Sequence, residues 1–193
     1  IVVLTGDAGI GKTSLILDKS HEYKRDPELF DEIKWFTFKT QKFSNNEIIE
    51  LNKSLYASEY FESDKNKKDL TTNLIKYIQS KKCLLILDNL ETVLDQTFKD
   101  FLDKTHEIDH DSKIIITSRE PVDSGVTIKV EKFDNQEAES LFRKYSNYLS
   151  LENLKKLNSI EILKLNNQRD NNPLGIRLSL DDVYNGTTVE KAF

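Results

Sequence analysis

The 193-residue chain has one cysteine, no methionine and no excess of positive charge. Each shortage removes a class of protein. A single thiol, Cys83, allows no disulfide framework within the chain. Set inside the apolar run CLLILD, it reads as a buried, inert thiol of a reducing compartment. No apolar stretch approaches the roughly 20 residues that a bilayer-spanning helix needs. No signal peptide is visible either, so the expectation is a cytoplasmic location with no membrane partner. With 28 Lys and Arg against 33 Asp and Glu, the net charge of −5 gives no generic affinity for nucleic acid. The short basic run Lys65–Lys68 reads as solvated loop. Internal repeats and low-complexity segments are also missing. Lacking methionine and opening in mid-strand, the chain reads as a piece of a longer polypeptide.

What is present is a globular balance, 32% charged and 37% hydrophobic, sufficient for one domain or a domain with a small subdomain. Apolar runs alternate with amphipathic stretches. Ile1–Thr5, Ile33–Lys39, Cys83–Asp88, Lys113–Ser118 and Val126–Val130 read as strands. Gly11–Ser20, Asn45–Ser58, Asp69–Gln79 and Thr97–Thr105 read as helices between them. Strands that are apolar throughout, joined by helical crossovers, predict an α/β fold: a mainly parallel five-stranded sheet with flanking helices. After Phe133 the pattern is helical only, over Asn135–Tyr148, Leu151–Lys164 and Pro173–Tyr184. Leu151, Leu154, Leu157 and Ile160 recur every three residues and read as helical core rather than a partner-binding face. Asn166–Asn172 reads as a polar turn. The expected organisation is an α/β core over 1–133 and a helical subdomain over 134–193.

Three of the six glycines fall in one loop, Gly6-Asp7-Ala8-Gly9-Ile10-Gly11-Lys12-Thr13, which fits G-x-x-x-x-G-K-[ST]. A strand precedes it and a helix follows. Glycines let backbone N–H groups curl around an anion, and the helix start aims its free N–H groups and positive dipole end at the same point. Lys12 is expected to reach the β- and γ-phosphates of a nucleotide. The Thr13 hydroxyl is expected in a Mg²⁺ shell, with Ser14 completing the binding loop. A glycine-rich turn with no ligand leaves Lys12 and Thr13 unexplained.

A second acid fits the same chemistry. LLILDNLE, residues 84–91, carries Asp88 at the end of a buried strand, where it is expected to hold Mg²⁺ through water; the alternative is a helix N-cap. Glu91 is a candidate for orienting an attacking water, and Asn89 stands where a hydrolytic enzyme often has a second acid, so turnover is expected to be slow. KIIITSRE, residues 113–120, places Thr117, Ser118 and Arg119 at another strand end. Arg119 is either a surface cation or a sensor of the γ-phosphate through a charge-assisted bond. No N-K-x-D motif of a GTPase and no arginine-rich lid of a kinase is found.

GDAGIGKTSL, LLILDNLE, IIITSRE and NNPLGI, in that order, resemble the NB-ARC and related NACHT-type ATPases of the STAND class, the signal-transduction ATPases with numerous domains. The resemblance covers nearly the whole chain. It implies ATP and ADP with Mg²⁺ as ligands, and a switch in which exchange of ADP for ATP drives homo-oligomerisation through the ATPase domain. A trigger-sensing region and an effector would lie elsewhere in the polypeptide, in immune, antiviral or cell-death signalling. FDNQEAESLFRKYS, residues 133–146, is similar to the family's lead into a helical subdomain. Asn172-Pro173-Leu174 matches its G-x-P segment, which implies that Pro173 and Leu174 lie against the nucleoside; read without the family, Pro173 is simply a good first helical residue. Asn171 stands where the pattern has glycine. The neighbouring classes are an ATP-dependent transcription regulator and an AAA-like remodelling ATPase.

Overall fold

The computed structural model describes residues 1–38, 67–90 and 96–193. The expected helix Asn45–Ser58 and the candidate Glu91 lie outside the described residues. By its contacts the chain divides into two units. The first is Ile1–Gly6 with Lys12–Lys129, and the second is Asp7–Gly11 with Val130–Phe193.

The first unit is a parallel five-stranded sheet flanked by helices. Its strands are β1 (Val2–Thr5), β2 (Glu32–Thr37), β3 (Cys83–Asp88), β4 (Lys113–Thr117) and β5 (Val126–Lys129), in the order β2-β3-β4-β1-β5. The described helices are α1 (Lys12–Tyr23), α2 (Lys67–Ser80) and α3 (Gln96–Glu107). All six residues of β3 are buried, which is why its sequence does not alternate. The core joins Leu85 and Leu87 of β3 to Ile114 and Ile116 of β4, Leu74 and Ile78 of α2, and Phe98, Phe101 and Leu102 of α3. Phe38 is 1% exposed and meets Phe98 edge-on at 6.4 Å. Cys83 is fully buried, and burial pushes its thiol up to about 11, with the Glu32 carboxylate adding to the effect. Lys67 and Lys68 open α2 instead of belonging to a loop.

Register fixes where chemistry sits. Leu4 pairs with Thr117, and Leu87 with Ile116, so β1, β3 and β4 end side by side. Asp88, the last residue of β3, and Gly6 and Ser118, which follow β1 and β4, share the carboxyl edge of the sheet, where ligands of parallel sheets bind.

The second unit is a helical subdomain built from α4 (Asn135–Tyr148), α5 (Glu152–Lys155), α6 (Ser159–Gln168), α7 (Pro173–Tyr184) and α8 (Val189–Ala192). Phe142, Leu154, Ile162, Ile176 and Leu180 are each no more than 2% exposed and form its core. Asp134 starts α4 with a reciprocal cap: its carboxylate accepts from the Gln136 and Glu137 amides, and Glu137 accepts from the Asp134 amide.

Two expectations are corrected here. Leu151–Lys164 is two helices, because Asn158 and Glu161 form a second reciprocal cap that restarts the chain at Ser159. The three-residue stripe ends with that break. Leu154 is buried, whereas Ile160, on α6, is 80% exposed. Asn166 is not part of a turn but a fully buried residue of α6, which runs to Gln168. Among the described residues, no helix is long and apolar enough to cross a membrane.

Candidate functional site

The glycine loop leaves β1 through backbone that side chains disfavour. Gly9 has φ 74° and Gly11 φ 104°. At Gly11 the constraint is conformational alone, since a Cβ there meets nothing within 4 Å; at Gly9 it is also steric, with a Cβ falling 2.7 Å from the Cβ of Leu174. Ile10 is buried and anchors the loop, and its amide donates to the Asp7 carbonyl at 3.4 Å. The first turn of α1 carries no acidic residue, so nothing there competes with an anion for the helix N-terminus.

Within the first unit, the Lys12 ammonium donates to the Gly6 carbonyl at 2.6 Å. The Thr13 hydroxyl donates to Asp88 Oδ1 at 2.8 Å. Thr117 donates to the same oxygen, also at 2.8 Å. Asp88 is 4% exposed and Thr117 1%, so the acid is held by two hydroxyls almost out of solvent. The backbone is arranged to keep it there. Asn89 adopts φ 64°, its amide N–H donates to Thr117 Oγ1 at 2.7 Å, and its side chain donates to the Phe38 carbonyl at 3.2 Å. Leu90 donates to the Thr117 carbonyl at 2.8 Å. This reverse turn points the chain away while leaving Asp88 facing Thr13.

Ser118 is 2% exposed, and its amide donates to the Leu4 carbonyl, extending the ladder beyond β4. Arg119, the next residue, is exposed.

Within the second unit, loop residues 8 and 9 meet the start of α7. Asn172 Nδ2 donates to the Ala8 carbonyl at 3.0 Å, and the Leu174 amide donates to the Gly9 carbonyl at 3.2 Å. Asn172 also caps α7, and Pro173 follows as its first residue. Asn171 has φ 54°, the left-handed conformation that glycine adopts at no cost and asparagine tolerates. Asn171 thus takes, at the position where the resembled pattern has glycine, a backbone conformation open to glycine.

The structure thus joins Thr13 to Asp88 and Lys12 to Gly6 on one unit and sets Leu174 against Gly9 on the other. Sequence reasoning missed the Thr117 bond to Asp88, the left-handed Asn89 and the Asn172 bond to Ala8. The hydroxyl pair at the end of β4 was the available signal for the first; nothing local signalled the third.

The residues fit the chemistry of a nucleotide and a hard cation. Thr13 and Asp88 offer oxygen donors only, the kind Mg²⁺ takes, and among the described residues no cluster of His, Cys, Asp and Glu would hold a metal unaided.

The sheet order, the loop and the acid define a P-loop NTPase. The chain belongs to the NB-ARC family, whose domain model matches residues 1–156. It is a nucleotide-binding signalling ATPase domain of the STAND class. In structure it is similar to a STAND protein with a tetratricopeptide repeat sensor from Pyrococcus horikoshii. The TM-score is 0.63 at 24% identity, covering 93% of this chain and 27% of that one. It is also similar to a Walker-type ATPase of Pyrococcus abyssi (TM-score 0.62, 14% identity, 99% of this chain and 64% of that one). A RuvB variant of Thermotoga maritima follows (TM-score 0.59, 13% identity, 98% and 56%). At these identities the likeness is one of fold. In sequence the chain is 26% identical over 137 residues to an uncharacterised WD repeat-containing protein of Nostoc sp., covering 62% of this chain and 11% of that protein. The chain therefore spans about a tenth of the curated relative it matches.

Proposed function

We propose that this chain is an ADP/ATP switch, in which the identity of the bound adenine nucleotide sets the state of a larger signalling protein. The observation that carries the reading is the bond from the Thr13 hydroxyl to Asp88, which supports a cation-binding pair at the start of the helix that follows the glycine loop in sequence. Residues 6–14 bind the phosphates through backbone amides, and Lys12 neutralises the β- and γ-phosphates. Thr13 and Asp88 hold Mg²⁺, which when bound draws charge from the phosphate oxygens. Arg119 senses the γ-phosphate by a bond available only with the triphosphate, Glu91 orients water for a slow hydrolysis that resets the switch, and Pro173 and Leu174 contact the nucleoside. Exchange of ADP for ATP then drives association of ATPase domains in the cytoplasm. The repeat regions named in two of the similar proteins favour a repeat sensor in the whole polypeptide, with an effector whose role is in defence or cell-death signalling.

Mass spectrometry of the nucleotide that co-purifies with the intact resting protein tests this. The expected species is ADP at close to one per chain; a nucleotide-free resting protein that binds and turns over ATP continuously contradicts the switch and favours a motor.

A further inference from the structure

The bond between Asn172 and the glycine loop does more than join two segments. The Asn172 amide divides its two ends. Oδ1 accepts from the Leu174 and Gly175 amides at 3.0 and 3.1 Å, capping α7, while Nδ2 donates to the Ala8 carbonyl at 3.0 Å. The assignment of the two ends follows from chemistry: a reversed amide would set an oxygen against the Ala8 carbonyl and an N–H₂ against two N–H donors. The Leu174 amide, shared with the cap, also reaches the Gly9 carbonyl at 3.2 Å. Consecutive carbonyls of the loop, at Ala8 and Gly9, are thus held by the start of one helix.

A trans peptide unit is planar, with C=O and N–H pointing in opposite directions, and the described chain has no cis bonds. Fixing the Ala8 carbonyl toward α7 therefore fixes the Gly9 N–H away from it. Fixing the Gly9 carbonyl does the same for the Ile10 N–H, which donates to Asp7. Only glycine at position 9 permits so close an approach, because a Cβ there would collide with Leu174.

We infer that Asn172 is a positioning residue for the phosphate loop: by holding the Ala8 carbonyl on the α7 side, it turns the Gly9 amide to the opposite side as a preset donor for a phosphate oxygen. The inference rests on the nucleotide reading proposed above. Asn172 acts through the loop and needs no contact with the nucleotide. Its effect falls on the phosphates and not on the nucleoside.

The test uses Asn172→Ser and Asn172→Thr in the intact protein. Both keep an oxygen that caps α7, and neither carries an amide that reaches Ala8. Binding of ADP and of inorganic pyrophosphate is measured, with the melting temperature of the nucleotide-free protein and hydrogen exchange at the Gly9 and Gly175 amides of the ADP-saturated protein. The expected result is a loss of about fivefold in affinity for both ligands, the size of one hydrogen bond, with faster exchange at Gly9, unchanged exchange at Gly175 and a melting temperature lowered by no more than about 4 °C. A parent that binds both ligands and variants that match it within a factor of two overturn the positioning role and leave the nucleotide reading standing. Weakened ADP with unaltered pyrophosphate also overturns it, because Asn172 then serves the nucleoside. Loss of folding in both variants assigns the residue to structure alone and overturns it too. A parent that binds neither ligand removes the nucleotide reading itself.

Discussion

Lys12→Ala lowers affinity for ADP and ATP by about 10- to 100-fold, the range set by losing charge-assisted hydrogen bonds of about 1.5–3 kcal/mol. The ammonium donates to the Gly6 carbonyl, a neutral acceptor, at 2.6 Å. Exchanging that partner for a phosphate oxygen strengthens the bond roughly twofold because the acceptor becomes charged. Alanine removes both partners at once, and the backbone amides of the loop are left to bind the anion alone. The fold is expected to survive, since Lys12 is half-buried at a helix start and belongs to neither core cluster. Calorimetric titration of parent and variant checks this; affinities within a factor of two of each other contradict the role.

Asp88→Asn produces the second large effect, and it separates charge from shape. Asparagine keeps an oxygen to accept from Thr13 and Thr117, so the local hydrogen bonds and the reverse turn through Asn89 are retained. What is lost is the negative charge in a site 4% exposed to solvent. ADP affinity in the presence of a chelator is expected to stay within a factor of two. Mg²⁺-dependent ATP turnover is expected to fall on the order of a hundredfold, since a bound cation contributes several kcal/mol of charge stabilisation. Turnover assays across a Mg²⁺ series read both quantities, and an unaltered Mg²⁺ dependence contradicts the assignment.

Both effects concern residues that were legible in the sequence, for a physical reason. A strand buried on both faces leaves an unbroken apolar run, and the first polar residue after it marks the sheet edge; Asp88 after LLIL is such a residue. The glycine loop announces itself because few other residues adopt its backbone. Helices α4 and α7 were bounded by their own caps, Asp134 with Glu137 and Asn172 with Pro173. The same logic failed at Asn158. There the leucine spacing ran on in sequence while a cap ended the helix, so side-chain periodicity outvoted a signal that was present. Asn171 shows the converse. The missing glycine put the loop before α7 in question, yet Asn171 at φ 54° adopts the left-handed backbone that glycine favours.

The contacts that hold the site were less legible, because they join residues far apart in the chain. Asp88 meets Thr13 across 75 residues and Thr117 across 29. Asn172 meets Ala8 across 164. Local pattern places each residue on an element, but only the strand register of β1, β3 and β4 decides which ends become neighbours.

The central claim is that the backbone amides of the glycine loop bind the phosphates of an adenine nucleotide. Titration of MgADP into the intact, nucleotide-stripped protein, followed by amide hydrogen exchange, tests it most directly. The account predicts saturable binding at one site per chain, with the amides of Gly9, Gly11 and Lys12 protected on saturation. No binding at millimolar ADP, or binding that leaves those three amides unprotected, contradicts it.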